Sequence, residues 1–375
     1  MEKRLTRTYG YLAFAIGICL TVWTCILVSN AQDARIRSNF QRDADKVASD
    51  TRVRLQTYFD MLMSLKGMFA VNEKVTRAQF AQFIGELNLA ERYPGFQAIQ
   101  FVRYVPTGQI DSFTDAVRRD RSLLPGGYPD FTVKPEPGRD DHYIIDYNEP
   151  MAGNEIAFGL DLATLPGQLA AVEQGRDTGR IVATEPIALI QIADGGAGFV
   201  ARTPLYRPYM PIDTVDQRRA ALVGMLAIVF RMDNLMSEVI DPALAGHLAV
   251  RVHDAGIGGA SPKRQLMYDS TRDGVGLVPG LTWESTVDVE PRKWVMSFSA
   301  VNGARYSRDV TNVILAGTAG FIISALVAAL MIASSRSRNL ALRLSASLEE
   351  QRAFQDSASV GIALFSGGGI VRCHG

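Results

Sequence analysis

Two uncharged apolar runs, and between them a series of short β-rich segments broken by Gly, Pro and Asp, predict an α+β protein with two transmembrane helices. Strands outnumber helices in that middle region, and many are joined by turns rather than crossovers, so its sheets are expected to be antiparallel. Nothing covalent holds it together. Cys19 and Cys25 fall in the first apolar run and Cys373 lies near the end, so the middle must fold on its packed core, which a 47% hydrophobic composition allows. Equal counts of 39 acidic and 39 basic residues give no electrostatic case for nucleic acid as a partner.

Residues 1–9 form a short basic tail, taken as cytoplasmic, and residues 10–28 the first span. At about 1.5 Å of rise per residue, Gly10 to Val28 reaches close to the roughly 30 Å of bilayer hydrocarbon. A cleaved signal peptide is the alternative, since Ser29-Asn30-Ala31 offers small residues, but the run is longer than the usual signal core of about 7–15 residues. Lys3, Arg4 and Arg7 before the run nearly balance Arg35, Arg37 and Arg42 after it, so charge does not set orientation. Parity does: two spans put both termini on one side and export the thiol-free middle.

Residues 29–75 read as a stalk helix. Ala48, Thr51, Leu55, Tyr58, Leu62, Leu65 and Phe69 alternate spacings of three and four, a heptad stripe that either pairs two copies of the chain or packs on its own domain. Residues 76–305 are expected to be the extracytoplasmic domain. Its strands are read at Ala98 to Val105, Gly179 to Thr184, Ile187 to Ile192, Phe199 to Leu205, Leu222 to Phe230, Leu248 to Val252, Thr282 to Val289 and Lys293 to Val301. Its helices are read at Arg77 to Leu89, Asp111 to Asp120, Pro166 to Gln174 and Asp233 to Val239. The second span is 313–333, bracketed by Arg308 and Asp309 before and Arg336 and Arg338 after. A linker helix follows over 334–355, with Leu340, Leu344 and Leu348 on one face, and residues 356–375 begin a hairpin around Gly367-Gly368-Gly369.

Five stretches carry a resemblance: Tyr93-Pro-Gly-Phe-Gln-Ala-Ile99 with Val105-Pro106; Tyr143-Ile-Ile-Asp-Tyr147 with Glu149-Pro150 and Asn154; Ala157-Phe-Gly-Leu-Asp-Leu162; Arg176-Asp-Thr-Gly-Arg180 with Ala183-Thr-Glu-Pro186; and Gly198-Phe-Val200 running to Thr203-Pro-Leu-Tyr206. In this order and spacing they resemble the CHASE domain family, the extracellular sensor of bacterial receptors and plant cytokinin receptors. The resemblance implies a stalk helix followed by two PAS-like α/β units, the distal one at about 93–210 holding a small ligand and the proximal one at about 220–305. Residues 356–375 would open a cytoplasmic PAS-like domain, since family members usually continue into a histidine kinase or a diguanylate cyclase. Pro166-Gly-Gln-Leu169 departs from the pattern, because bacterial members usually carry basic residues there.

The resemblance also implies that Asp161 binds ligand N–H groups and that Thr184 is a pocket residue. Read from the residues alone, an aspartate inside an apolar run needs a partner or a polar cavity, or it caps the helix that follows. Tyr147, Phe158, Leu189, Phe199 and Leu205 are expected as pocket walls or plain core. Arg202, between Ala201 and Thr203, is expected to face water, with an anionic ligand group as its alternative partner. No metal site, no cofactor and no catalytic residue is expected: the four histidines lack zinc spacing, and there is no Gly-x-Ser-x-Gly elbow, phosphate loop or phospho-acceptor histidine on the linker. The expected function is therefore a receptor in the plasma membrane, a homodimer, whose partners are lipid and a small molecule of unknown identity. Sensing through a protein partner, or a front end truncated from a kinase or cyclase, are the alternatives.

Overall fold

The computed structural model describes residues 2–72, 74–88, 95–188, 196–271 and 276–359. It divides into two compact units, residues 1–36 with 308–375 and residues 37–307. Among the described residues there are seven α-helices and two antiparallel sheets.

The first unit holds the start of α1 (Glu2–Val71) and α7 (Val310–Ser359), each of which contains a segment long and apolar enough to cross a membrane. In each, the expected span and the helix beside it form one uninterrupted helix, because no Pro or capping break separates them. Within this unit the helices meet through small residues. A Cβ added to Gly17 would lie 2.4 Å from Ser324 Oγ, and one added to Gly320 would lie 2.4 Å from Thr21 Oγ1. Such close approach strengthens dispersion contacts where lipid gives no hydrophobic drive. Arg308 Nε and Nη2 donate to both oxygens of Asp33 at 2.6 Å.

In the second unit the sequence places α2 (Arg77–Glu86), β1 (Phe96–Pro106), α3 (Ile110–Arg118), β2 (Asp141–Glu149), α4 (Pro166–Thr178), β3 (Val182–Ala183), β4 (Ile187–Ala188) and β5 (Ala197–Tyr206). They are followed by α5 (Val215–Ala221), β6 (Leu222–Arg231), α6 (Met232–Val239), β7 (Leu248–Ile257), β8 (Gln265–Asp269), β9 (Leu277–Val289) and β10 (Arg292–Val301). The larger sheet runs β2-β1-β6-β5-β3 with β4 also on β5, and the smaller runs β8-β7-β10-β9. β6, counted from the sequence with the second half of the domain, pairs between β1 and β5. The strands β2 and β8 and the helix α5 were not expected from the pattern. Val182–Ala183 is all that forms of the strand expected over Gly179 to Thr184, and the end of the strand expected over Ile187 to Ile192 lies outside the described residues.

The heptad stripe of α1 turns inward. Ala48, Thr51, Leu55, Tyr58, Leu62 and Leu65 are all buried in the chain's own second unit, so this stripe is core and not a seam for a second copy. Tyr58 meets Phe230 edge-on at 4.9 Å and Phe69 packs on Phe101 at 5.0 Å, which places α1 against one face of the larger sheet. On that face Phe199 stacks on Phe230 at 4.6 Å and meets Trp294 of the smaller sheet edge-on at 4.8 Å, tying the two sheets together.

The opposite face is covered by α4. Val102, Tyr143, Ile145, Leu162, Val172 and Met225 form its core. Both faces of the larger sheet are thus buried, and its central strands are closed to water over nearly their whole length. The register of β2 contains an irregularity: Phe101 pairs with Tyr147 while Val102 pairs with Ile145, leaving Asp146 as an extra residue. Because side chains alternate with a period of two, this bulge sends Ile145 to the α4 face and Tyr147 to the α1 face.

Candidate functional site

The α4 face of the larger sheet encloses a cavity of about 290 Å³. Val200 and Val229 pair across β5 and β6 on its floor, Gln100 comes from β1, and Leu160, Pro166 and Gln168 close it from the α4 side. Ligand cavities are mostly apolar with a few placed polar groups and span about 300–1,000 Å³, so this one sits at the small end of that range. Its polar members are Gln100, Gln168 and Glu185. Gln100 is held by donating through Nε2 to Asn148 Oδ1 at 3.1 Å, and Asn148 donates in turn to the carbonyl of Asn154 at 2.8 Å.

The helix that forms one wall starts at the cavity. Pro166 stands at the first helical turn, where its missing N–H costs nothing, and no side chain caps this end. The uncapped end presents the positive pole of the helix dipole, about half an elementary charge. Glu185 lies across from it: a Cβ added to Gly167 would be 1.9 Å from Glu185 Oε1, so only glycine lets that carboxylate approach the helix start in this rotamer.

Arg202 corrects the sequence reading outright. It does not face water; it is 0% exposed on the α4 face of β5. Alternation places it beside Val200 on that face, and across the sheet it pairs with Ala227, which pairs with Gln100. Val200 and Gln100 both line the cavity; Arg202 itself is outside the lining and lies behind it, bonded to Gln168 and paired with the small Ala227. Its Nη2 donates to Gln168 Oε1, while Nε and Nη1 have no partner among the described residues. Burial with no compensating charge pulls this guanidinium down to about 9, still far enough above 7 that it stays charged.

The residues expected to contact a ligand are placed as follows. Asp161 is wholly buried and surrounded by donors. Its Oδ1 accepts from the N–H of Tyr143 at 3.0 Å and of Ala163 at 3.0 Å; its Oδ2 lies 2.6 Å from His142 Nδ1 and 3.2 Å from the N–H of Glu136. The bond to Ala163 caps the short 3-10 turn Leu162–Thr164. Asp161 is outside the cavity lining, although its neighbour Leu160 is part of it. Thr184 accepts the N–H of Val200 on Oγ1 at 3.0 Å and donates its own N–H to the carbonyl of Val200 at 2.9 Å, which fixes the edge of the cavity floor.

Tyr147, Phe199 and Leu205 belong to the α1 face, away from the cavity, Tyr147 because of the bulge at Asp146. Phe158 packs in a separate cluster with Tyr128 and Phe131. Leu189 lies outside the described residues. The sequence reading missed Gln100, Gln168 and Glu185. Gln168 and Glu185 were legible as polar residues flanking proline at the ends of two predicted elements; Gln100 sits in a strand with no such signal.

With this geometry in place, the domain is of an α+β class: two antiparallel sheets sharing one core, with a cavity under a helix. The CHASE domain family matches residues 73–268, more than half of the chain, and the chain belongs to that family. No curated protein matches it significantly. Several solved structures are similar at low identity. One is an extracellular ligand binding receptor from Desulfohalobium retbaense, 9% identical, with a TM-score of 0.44 over 70% of this chain and 40% of that one. Another is the ligand binding domain of the Pseudomonas aeruginosa amino acid chemoreceptor PctC in complex with GABA, 14% identical, with a TM-score of 0.39 over 70% and 99%. A third is the periplasmic sensory domain of a Campylobacter jejuni chemoreceptor, 9% identical, with a TM-score of 0.40 over 75% and 98%. The chain spans less than half the length of the first of these.

Proposed function

We propose that this chain is a membrane receptor whose two apolar helices hold an extracytoplasmic CHASE domain, and that the domain binds a small molecule in the cavity on the α4 face. The observation that carries this reading is the cavity itself, which lies inside the matched region and joins an apolar floor to three polar groups. A void next to Leu160 and Val200 is what small-molecule sensing requires and what sensing through protein contacts alone does not. Asp161 and Thr184 take part by holding those two segments in place, and a direct ligand contact from either is open to the test below.

In this reading the larger and smaller sheets are the two PAS-like units, with the division after β6. The larger sheet is the distal, ligand-holding unit. Ligand closes α4 onto the sheet; its differential affinity for the closed state shifts α1 and α7 and so reaches a cytoplasmic output, a kinase or cyclase in the manner of the family. Two copies working together would pair through residues outside the buried heptad stripe.

Isothermal calorimetry of the full chain in lipid nanodiscs against a library of neutral, cationic and anionic metabolites tests the proposal. At least one compound is expected to bind, and Leu160→Trp, which fills the cavity, is expected to abolish its binding. Binding that survives Leu160→Trp would remove the cavity from the function, and Asp161→Ala with unchanged affinity would remove the direct contact assigned to that residue.

A further inference from the structure

We infer that the cavity binds its ligand through a carboxylate held by Arg202. This rests on the reading of the cavity as the ligand site and adds the chemical class of what enters it.

Arg202 is a fully buried cation whose only hydrogen-bond partner among the described residues is the neutral amide of Gln168, itself part of the cavity wall. A guanidinium has five N–H donors, and here the hydrogens on Nε and Nη1 go unclaimed. An ion buried without a counter-charge costs several kcal/mol, which a fold tolerates where something outside it supplies the charge. No carboxylate among the described residues pairs with Arg202. Arg202 and its free N–H groups are sealed from the void, but Val200 beside it on the strand, Gln100 one strand beyond Ala227 and Gln168, its hydrogen-bond partner, all line it, so a ligand carboxylate would reach the guanidinium by displacing the Gln168 amide.

A second feature points the same way. The start of α4 opens on this cavity at Pro166 and Gly167 with no side-chain cap, and its positive pole faces the same space, where the exposed Glu185 carboxylate already approaches it. The two together favour one negative charge. A phosphate, with nearly two charges and three strongly accepting oxygens, needs more than one cation; a lone guanidinium behind the wall of a mostly apolar void of about 290 Å³ suits a monocarboxylate with an apolar body. Glu185 is the one acidic group in the lining, and it is exposed at the mouth. It therefore disfavours multiply charged anions while its side chain remains free to swing aside.

The test uses matched probes on the full chain in lipid nanodiscs: butyrate, benzoate, phenylacetate and 3-phenylpropionate, each against its primary amide, by calorimetry. At least one acid is expected to bind about tenfold or more tightly than its amide, the size of one charge-assisted contact. Arg202→Met is expected to weaken that acid by about 30-fold or more while leaving the amide nearly unchanged. Arg202→Lys, which keeps the charge and loses the fork, is expected to fall between them. A merely structural arginine would lower the unfolding temperature of the ligand-free protein when replaced; here Arg202→Met is expected to leave it the same or raise it. Equal binding of acid and amide, acid binding that survives Arg202→Met, or no acid bound while neutral or cationic library compounds are, would each overturn the assignment and leave the cavity a ligand site. If no compound of any charge binds, the reading of the cavity falls first and this one with it.

Discussion

Two arginines are buried on opposite faces of the same sheet, and the protein treats them in opposite ways. Arg77, at the start of α2 on the α1 face, is 3% exposed. It donates to the carbonyl and the carboxylate of Asp146 and, through Nε, to Asp120 at 3.1 Å, and the rings of Tyr128, Tyr147 and Phe158 lie 4.7–5.0 Å from its guanidinium carbon. Asp146 is the extra residue of the bulge, and its second oxygen accepts from Arg103 Nε at 2.5 Å. Everything a buried cation requires is supplied from within. Arg202 on the α4 face has one amide. The comparison separates a satisfied cation from an unsatisfied one: the first arginine is a finished joint between α2 and the sheet, and the second is a buried charge held by one amide behind the cavity wall.

Breaking the finished joint gives the largest effect. Asp146→Asn leaves Arg77 and Arg103 short of their shared charge, and removing one partner of a buried ion pair costs about 3–5 kcal/mol. Thermal unfolding of the full chain, followed by fluorescence of the buried Trp294, should show a fall of that size. An unchanged midpoint would mean that Asp120 and the aromatic cage suffice to hold Arg77, and the contrast between the two faces would lose its energetic basis.

Asp161 is the anionic counterpart of this argument, a buried carboxylate surrounded by four donors. Asp161→Ala strands the His142 ring and the N–H groups of Tyr143 and Ala163, so a loss of about 2–4 kcal/mol is expected in the same unfolding measurement. A near-neutral result would show that these donors find other acceptors and that the cap on the 3-10 turn is dispensable.

Arg202→Met sharpens the comparison by its sign. Replacing a buried charge that lacks a partner by an apolar side chain of similar volume should raise ligand-free stability by about 1–4 kcal/mol, the reverse of the Asp146 variant. A loss instead would make Arg202 a second structural joint and place its missing partner inside the protein.

Much of the fold was legible in the sequence. Length and apolarity gave both long helices, and alternation gave β1, β5, β6 and β10 nearly to their ends. β2 was not legible, because Asp141, His142, Asp146, Asn148 and Glu149 break the apolar alternation, and the partners that let them be buried, Arg77, Asp161 and Gln100, come from elsewhere in the chain. The site was lost for a related reason. Alternation says that a polar residue between apolar neighbours faces water only when one side of the sheet is wet; here both sides are covered, so Arg202 was assigned to solvent. Tyr147 reads as pocket wall or plain core, and a single-residue bulge, invisible in the pattern, puts it on the face away from the cavity.

The smallest effect concerns the one carboxylate already at the cavity. Glu185 stands near the helix start where an incoming acid would gain the same dipole, so the two compete for one positive pole. Being exposed, Glu185 acts through a high dielectric, and neutralising it should tighten binding of an acid by only about threefold, with the gain shrinking as salt is raised. Glu185→Gln titrated with the best-binding acid at low and at high ionic strength reads both numbers. A weaker acid in this variant would mean that Glu185 meets a positive group on the ligand, and that the cavity selects a zwitterion in which Arg202 holds only one end.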